Sequence, residues 1–174
     1  MKTRSIFISL VFIVMAIAIS SCKEGRTNED QEREIQKFIE KFELEHQHDS
    51  LKFTKTESGL YYCILEEGVG ENAHEGQIID YLYAAKMLDK INWYIAYTEP
   101  DDLDDVKLGV DPMIEGVKEA FTYMNVGCEL YAIIPSNLGY GDYSFYTDPY
   151  TPWLYWLKIV ELRNPDDDDD DDDE

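Results

Sequence analysis

The part of this sequence that most limits its possible folds is the run of residues 113–141. The run opens with apolar side chains at the three- and four-residue spacing of an amphipathic helix, namely Ile114, Val117, Phe121 and Met124. Asp111 is placed to cap this helix, Pro112 suits its first turn, and residues 125–127 end it at a glycine. A strand over residues 129–134 and a tyrosine-rich loop over residues 135–152 follow directly.

Strand-like segments flank this helix on both sides. They are rich in aromatic and branched residues, are separated by turn residues, and span residues 60–65, 76–87, 93–98, 106–108, 129–134 and 153–162. In the last segment, strict alternation places on one face Trp153, Tyr155, Leu157 and Ile159. Antiparallel strands around one amphipathic helix predict an α+β domain, which we expect to span residues 53–163.

A second helix is predicted ahead of that domain, over residues 28–44. Thr27 and Asp30 have the spacing of a capping box. An apolar stripe follows at Ile35, Phe38, Ile39 and Phe42. The stripe suits a helix that packs on the domain's own surface, and it also suits a helix that binds a second protein. We assign residues 22–52 to a tether and this helix.

The first 21 residues have the pattern of a targeting segment. Lys2 and Arg4 precede an apolar run over residues 5–18, which is shorter than the ~20 residues of a membrane-spanning helix. Small residues then lead directly to Cys22. This arrangement resembles a bacterial lipobox, which implies cleavage before Cys22, a lipid on its thiol that holds the chain at a membrane, and a place in the cell envelope as a periplasmic or outer-membrane lipoprotein.

The charge of the chain argues against binding to nucleic acid. The formal net charge is −22, and without the nine acids of residues 166–174 it is still −13. Phosphate recognition requires clustered lysine and arginine, which this composition does not supply. We expect residues 164–174 to form a disordered, solvated tail, with weak calcium binding as the alternative.

Cysteine and histidine give no sign of a metal site. After Cys22, only Cys63 and Cys128 remain, both within strand-like patterns. We expect buried free thiols there, and a disulfide is the alternative. His46 and His48 lack a third ligand nearby in sequence, so we expect an exposed linker with neither metal nor cofactor.

Residues 113–141 also carry a family signature. They follow the pattern V-I-x-G-W-x-x-x-L-x-x-M-x-x-G-x-x-x-x-x-x-I-P-x-x-x-A-Y-G, with Gly116, Met124, Pro135 and Gly141 in register. The chain thereby resembles the FKBP-type peptidyl-prolyl cis-trans isomerases over roughly residues 59–162. The resemblance implies an antiparallel half-barrel sheet wrapped on one helix. It also implies proline-containing unfolded or envelope proteins as partners.

The same resemblance implies a proline pocket. Its catalytic positions fall on Tyr83, seven residues after Gly76, and on Ile114, Tyr140 and Tyr155. In the family, the backbone N–H at the position of Ile114 holds a substrate carbonyl, and the hydroxyl at the position of Tyr140 bonds the ligand. Further substrate contacts are expected from Trp93, Met113, Val117, Tyr143, Phe145 and Tyr146.

Prolyl isomerisation needs no nucleophile, metal or acid–base pair. The barrier of ~18–20 kcal/mol arises from partial double-bond character in the C–N bond. An apolar pocket removes the water that stabilises the planar, charge-separated amide, so aromatic walls with few polar groups are the expected site. No motif of another catalytic class, such as G-x-S-x-G or H-E-x-x-H, occurs in the sequence.

Three features depart from the family pattern, and one of them is a 140s loop that is about two residues shorter than in the family and rich in tyrosine. Val117 stands where the family has the tryptophan at the floor of the pocket, and residues 93–96 replace its F-D-S-S segment, so the family's aspartate is absent. Two functions remain open on this basis. The first is a membrane-anchored isomerase acting on X-Pro bonds of envelope proteins. The second is a non-catalytic chaperone or protein-binding lipoprotein that uses the same groove.

Overall fold

The computed structural model describes residues 25–92, 95–97, 104–141 and 147–165. The targeting segment with Cys22 and the acidic run 166–174 lie outside the described residues, so what the sequence predicts for them stays a prediction. Within the described part of the chain, no helix combines the length and the apolar character that crossing a membrane requires.

Two α-helices, one short 3-10 helix and seven strands make up the described chain. The helices are α1 (Asn28–Glu45), α2 (Glu115–Phe121) and the 3-10 helix Ser136–Leu138. The strands are β1 (Thr54–Lys55), β2 (Tyr61–Glu66), β3 (Ile78–Met87), β4 (Ile95–Tyr97), β5 (Asp104–Lys107), β6 (Glu129–Ile134) and β7 (Trp153–Arg163). The predicted bounds of β6 and β7 are therefore correct to within one residue.

All seven strands join one antiparallel sheet in the order β1, β2, β6, β7, β3, β4, with β5 also paired to β3. Because β7 occupies one edge of β3 along its whole length, β4 and β5 follow one another along the other edge. The predicted α+β fold, a sheet on one amphipathic helix with a further helix at the N-terminus, is confirmed.

Helix α2 packs on one face of the sheet and forms the larger core with it. This core joins Val117 and Phe121 of α2, and Met124 just after it, to alternate residues of the central strands. From β6 and β7 it takes Leu130, Ala132, Ile134, Trp153, Tyr155, Leu157 and Ile159. The alternation predicted for β7 is confirmed, because all four of its predicted core side chains lie in this cluster.

Helix α1 covers the opposite face of the same sheet. Its buried Ile35 packs in a second cluster with Ile133 of β6 and Leu154 of β7, which are the neighbours in sequence of residues in the larger core. Phe38 and Ile39 pack against this cluster, and the ring of Phe42 meets that of Tyr131 edge-on with the two centroids 5.9 Å apart. Of the two roles open to the helix, packing on the domain itself is the one that the structure shows.

The two helix starts test the capping predictions in opposite ways. Thr27 caps α1 in a complete capping box with Asp30, as predicted. Helix α2 begins at Glu115, with Ile114 as its N-cap and no side-chain cap, so the prediction that Asp111 caps it is wrong. The Asp111 carboxylate instead accepts a hydrogen bond of 2.7 Å from the backbone N–H of Lys107. Asp111 thus stabilises the turn that follows β5 and does not cap the helix.

Cys63 and Cys128 are both buried and free, in agreement with the sequence-based expectation. Burial raises the pKa of the Cys63 thiol to about 11, and it also raises the pKa of the Cys128 thiol. Both groups therefore stay protonated at neutral pH and pack as small apolar side chains.

Helix α2 approaches the sheet closely at Gly116. A β-carbon added there would lie 2.5 Å from Cγ2 of Ile134, which real side chains do not tolerate. We expect Gly116→Ala to lower the free energy of unfolding by ~1–3 kcal/mol, the usual cost of overpacking, although alanine favours helices. Urea denaturation measures this change.

Gly25 provides the control, because a β-carbon there would meet nothing within 4 Å. Gly25→Ala should leave stability within about 0.5 kcal/mol of the native value. Equal stability of the Gly116→Ala variant and the native chain would show that the helix can shift away from Ile134 at no cost.

Candidate proline-binding site

The elements that carry the described members of the predicted site converge at one end of the sheet. Trp153, the first residue of β7, pairs with Met87 at the end of β3 and with Ile134 at the end of β6. The start of α2 lies over the same place, since Gly116 approaches Ile134. The chain then leaves β6 through Pro135 into the loop that holds Tyr140. We call this region the Trp153 end of the sheet.

Tyr155 forms the centre of the site. It pairs with Ala85 of β3 on one side and with Ala132 of β6 on the other, and both alanines are fully buried. These small neighbours leave space for the large ring above the sheet. Burial raises the pKa of the Tyr155 hydroxyl, and the hydrogen bond with Tyr140 raises it further. The group therefore remains a neutral phenol at every physiological pH.

Tyr140 reaches Tyr155 from the loop after β6. The two hydroxyl oxygens are 3.1 Å apart, and either group can be the donor. The Tyr140 ring also lies beside Trp153, with their centroids 5.2 Å apart. Tyr140 is 40% exposed whereas Tyr155 is 7% exposed. The pair thus links the solvent-facing rim of the site to its buried wall.

Tyr83 completes the wall from β3. Its ring is stacked on that of Tyr155 with their centroids 6.5 Å apart, and its centroid lies 5.7 Å from that of Tyr81. Tyr81 in turn meets Phe121 of α2 edge-on at 5.0 Å. We refer to Tyr83, Tyr140, Trp153 and Tyr155 together as the aromatic cluster.

Met113, Ile114 and Val117 enter the site from the start of α2. Val117 is buried in the same core as Tyr155, and Met113 and Ile114 pack against that core. Ile114 has extended backbone, and its carbonyl accepts hydrogen bonds from the N–H groups of Val117 and Lys118. A residue in this N-cap position uses its carbonyl in the helix but leaves its own N–H outside the helical bonds.

The structure therefore brings six of the predicted site residues to one region: Tyr83, Met113, Ile114, Val117, Tyr140 and Tyr155. The other four, Trp93, Tyr143, Phe145 and Tyr146, lie outside the described residues, and their predicted roles stay predictions. Within the described ranges, no group of three or more His, Cys, Asp or Glu side chains is arranged to hold a metal ion.

Trp153 is the member of the aromatic cluster that the sequence analysis did not assign to the site. It is 8% exposed, and its ring centroid lies 5.2 Å from that of Tyr140 and 6.4 Å from that of Tyr155. The signal was present, because the alternation of β7 placed Trp153 and Tyr155 on one face. The family pattern instead expects a tryptophan on α2, where this chain has Val117.

These features define an α+β half-barrel with an aromatic, uncharged wall beside the start of its central helix. A family model described as FKBP-type peptidyl-prolyl cis-trans isomerase matches residues 70–156, half of the chain. The chain belongs to this family, as its sequence pattern predicted.

Individual relatives agree with this assignment. A curated relative, the chloroplastic peptidyl-prolyl cis-trans isomerase FKBP16-1 of Arabidopsis thaliana, is 32% identical over 96 residues. The match covers 52% of this chain and 45% of that protein, so this chain spans about half the length of the relative.

Solved structures show the same fold at low sequence identity. FkpA from Escherichia coli has a TM-score of 0.61 at 16% identity, over 90% of this chain and 72% of that one. A peptidyl-prolyl cis-trans isomerase from Pseudomonas syringae also has a TM-score of 0.61, at 17% identity, over 80% of this chain and 98% of that one.

The hydrogen bond between Tyr140 and Tyr155 predicts a measurable coupling in stability. Tyr140→Phe removes the partner of a buried hydroxyl and should lower the free energy of unfolding by ~1–3 kcal/mol. Tyr140→Phe combined with Tyr155→Phe leaves no hydroxyl unpaired and should recover part of that loss. Chemical denaturation of the two single variants and the double variant measures the coupling, and strictly additive changes would argue against the bond.

Proposed function

We propose that this protein is a membrane-anchored peptidyl-prolyl cis-trans isomerase that acts on X-Pro bonds of unfolded or envelope proteins. The observation that carries the proposal is the joint position of Tyr83, Tyr140 and Tyr155 beside the start of α2. Membership of the isomerase family supports the same reaction.

The aromatic cluster suits the proposed reaction because it is apolar and uncharged. A proline ring held against Tyr83 and Tyr155 leaves water, and its amide loses the solvation that stabilises the planar form. Rotation about the C–N bond then becomes easier without proton transfer. The raised pKa of Tyr155 fits this role, because the hydroxyl keeps its proton and the wall stays neutral.

Two polar groups at the edge of the cluster can orient the substrate. The N–H of Ile114 stands at the N-cap of α2, where it can donate to a substrate carbonyl. The Tyr140 hydroxyl, at the more exposed side of its pair with Tyr155, can bond a second substrate group. These two contacts would hold the substrate segment in place while its X-Pro C–N bond rotates.

A specific observation keeps binding without turnover as the second candidate. Val117 lies in the buried core where the family has a tryptophan, and valine presents less apolar surface to a ligand. Trp153 lies beside Tyr140 and Tyr155 and supplies aromatic surface from the sheet instead. If Trp153 does not take the place of the family's tryptophan at the floor of the pocket, the protein would hold unfolded segments as a chaperone or bind a fixed partner without isomerising them.

Catalysis is tested by an isomerisation assay on a proline peptide. We expect turnover whose rate is flat between mildly acidic and mildly basic pH, since no titrating group takes part. Tyr155→Ala should lower kcat/KM by more than Tyr140→Phe, because it removes the apolar wall rather than one hydrogen bond of ~0.5–1.5 kcal/mol. Val117→Trp should raise turnover or tighten binding if the cavity admits the larger ring.

Two outcomes of this assay would change the assignment. A bell-shaped pH profile would indicate acid–base chemistry and remove the desolvation mechanism. Peptide binding without isomerisation in the native chain would select the chaperone candidate.

Membrane attachment through Cys22 is tested separately. Cys22→Ser removes the thiol that the lipid would modify, so the variant should leave the membrane fraction or accumulate as the uncleaved precursor. Fractionation and the mass of the mature chain measure both effects. Cleavage and membrane association as in the native protein would contradict the lipobox assignment.

A further inference from the structure

One side chain of α1 reaches across to the loop that carries Tyr140. Gln31 is 2% exposed, and its Oε1 accepts a hydrogen bond of 2.8 Å from the backbone N–H of Ser136. Its Nε2 donates to Oδ1 of Asn28 at 3.0 Å, so the amide is held in one orientation. A buried glutamine that is bonded at both ends fixes the groups it touches.

Ser136 holds the backbone of the loop after β6 that carries Tyr140, which we call the Tyr140 loop. Its carbonyl accepts hydrogen bonds from the N–H groups of Gly139, at 3.1 Å, and Gly141, at 2.7 Å. These two glycines flank Tyr140 directly in sequence. The backbone on both sides of Tyr140 is thus tied to Ser136, and Ser136 is tied to α1.

Based on this chain of contacts, we infer that Gln31 is a positioning residue for the proline site, acting through Ser136 on Tyr140. The inference rests on the proposed function for its catalytic consequence. It assigns a role to α1, which precedes the residues matched by the family model. The N-terminal helix would then be part of the binding machinery and not only a cover for the sheet.

Other contacts hold α1 on the sheet independently of Gln31. Ile35 is fully buried in the second core, and Glu32 accepts a hydrogen bond of 2.6 Å from the Tyr61 hydroxyl. Loss of the Gln31 bond should therefore release the loop without releasing the helix. This separation makes the role of Gln31 measurable.

The first test is amide hydrogen exchange in the full chain without ligand. Gln31→Met has similar length but no acceptor, and should speed exchange at Ser136 and Gly141 roughly tenfold while the β7 amides stay protected. Gln31→Glu keeps an oxygen acceptor and should preserve slow exchange. Lys37→Met, at an exposed position of the same helix, introduces the same side chain away from the loop and is the matched control, which should change neither amide.

The second test is a double-mutant cycle on proline-peptide binding and turnover. Gln31→Met should weaken kcat/KM or peptide affinity by a factor on the order of five, as expected for one hydrogen bond of ordinary strength. In a Tyr140→Phe background the same substitution should have a much smaller effect, because both changes act on one contact. Rescue by Gln31→Glu would support the bond to Ser136 as the cause.

The outcomes separate this inference from the proposed function. Unchanged exchange at Ser136 in Gln31→Met, or fully additive effects with Tyr140→Phe, would overturn the inference. Faster loop exchange in a chain that binds but does not isomerise would support the positioning role and reject the isomerase. Should Gln31→Met fail to fold, Gln31→Asn, which is one methylene shorter, replaces it, and native exchange at Ser136 in that variant would likewise overturn the inference.

Discussion

The packing of both faces of β6 is the constraint on which the rest of this structure depends. Leu130, Ala132 and Ile134 face α2, while Tyr131 and Ile133 face α1, so a shift of register by one residue would exchange the two cores. The contact of Ile134 with Gly116 then sets the position of α2 along the strand. Because Tyr140 follows β6 in the chain, both helices determine where its ring can lie.

Local sequence signals were sufficient wherever the structure follows a simple period. The alternation of β7 gave its buried face correctly, and the capping box at Thr27 gave the start of α1. The start of α2 was misplaced because Asp111 suits two local structures equally well. In the structure its carboxylate accepts a hydrogen bond from the N–H of Lys107, four residues earlier, and the sequence pattern alone does not distinguish this turn from a helix cap.

The site itself could be predicted in composition but not in its contacts. The family pattern supplied Tyr83, Tyr140 and Tyr155, and the structure brings these rings together. The pattern does not point to Trp153, which lies on β7 and not on α2, although the alternation of β7 places this side chain on the same face as Tyr155. The bond between Gln31 and Ser136 joins residues 105 positions apart and has no short-range signature in sequence.

The pleat of β7 explains how so acidic a chain keeps the described wall of its candidate site uncharged. Tyr155 and Leu157 face the core with α2, whereas Trp156 and Lys158 lie on the other face and bond the carboxylate of Glu129. Because successive side chains of a strand point to opposite faces, β7 presents aromatic and apolar groups on one face and hydrogen bonds to Glu129 on the other. The proposed mechanism needs only a wall that is dry and uncharged. Charge can therefore accumulate on the remaining surface without changing the groups that would contact proline.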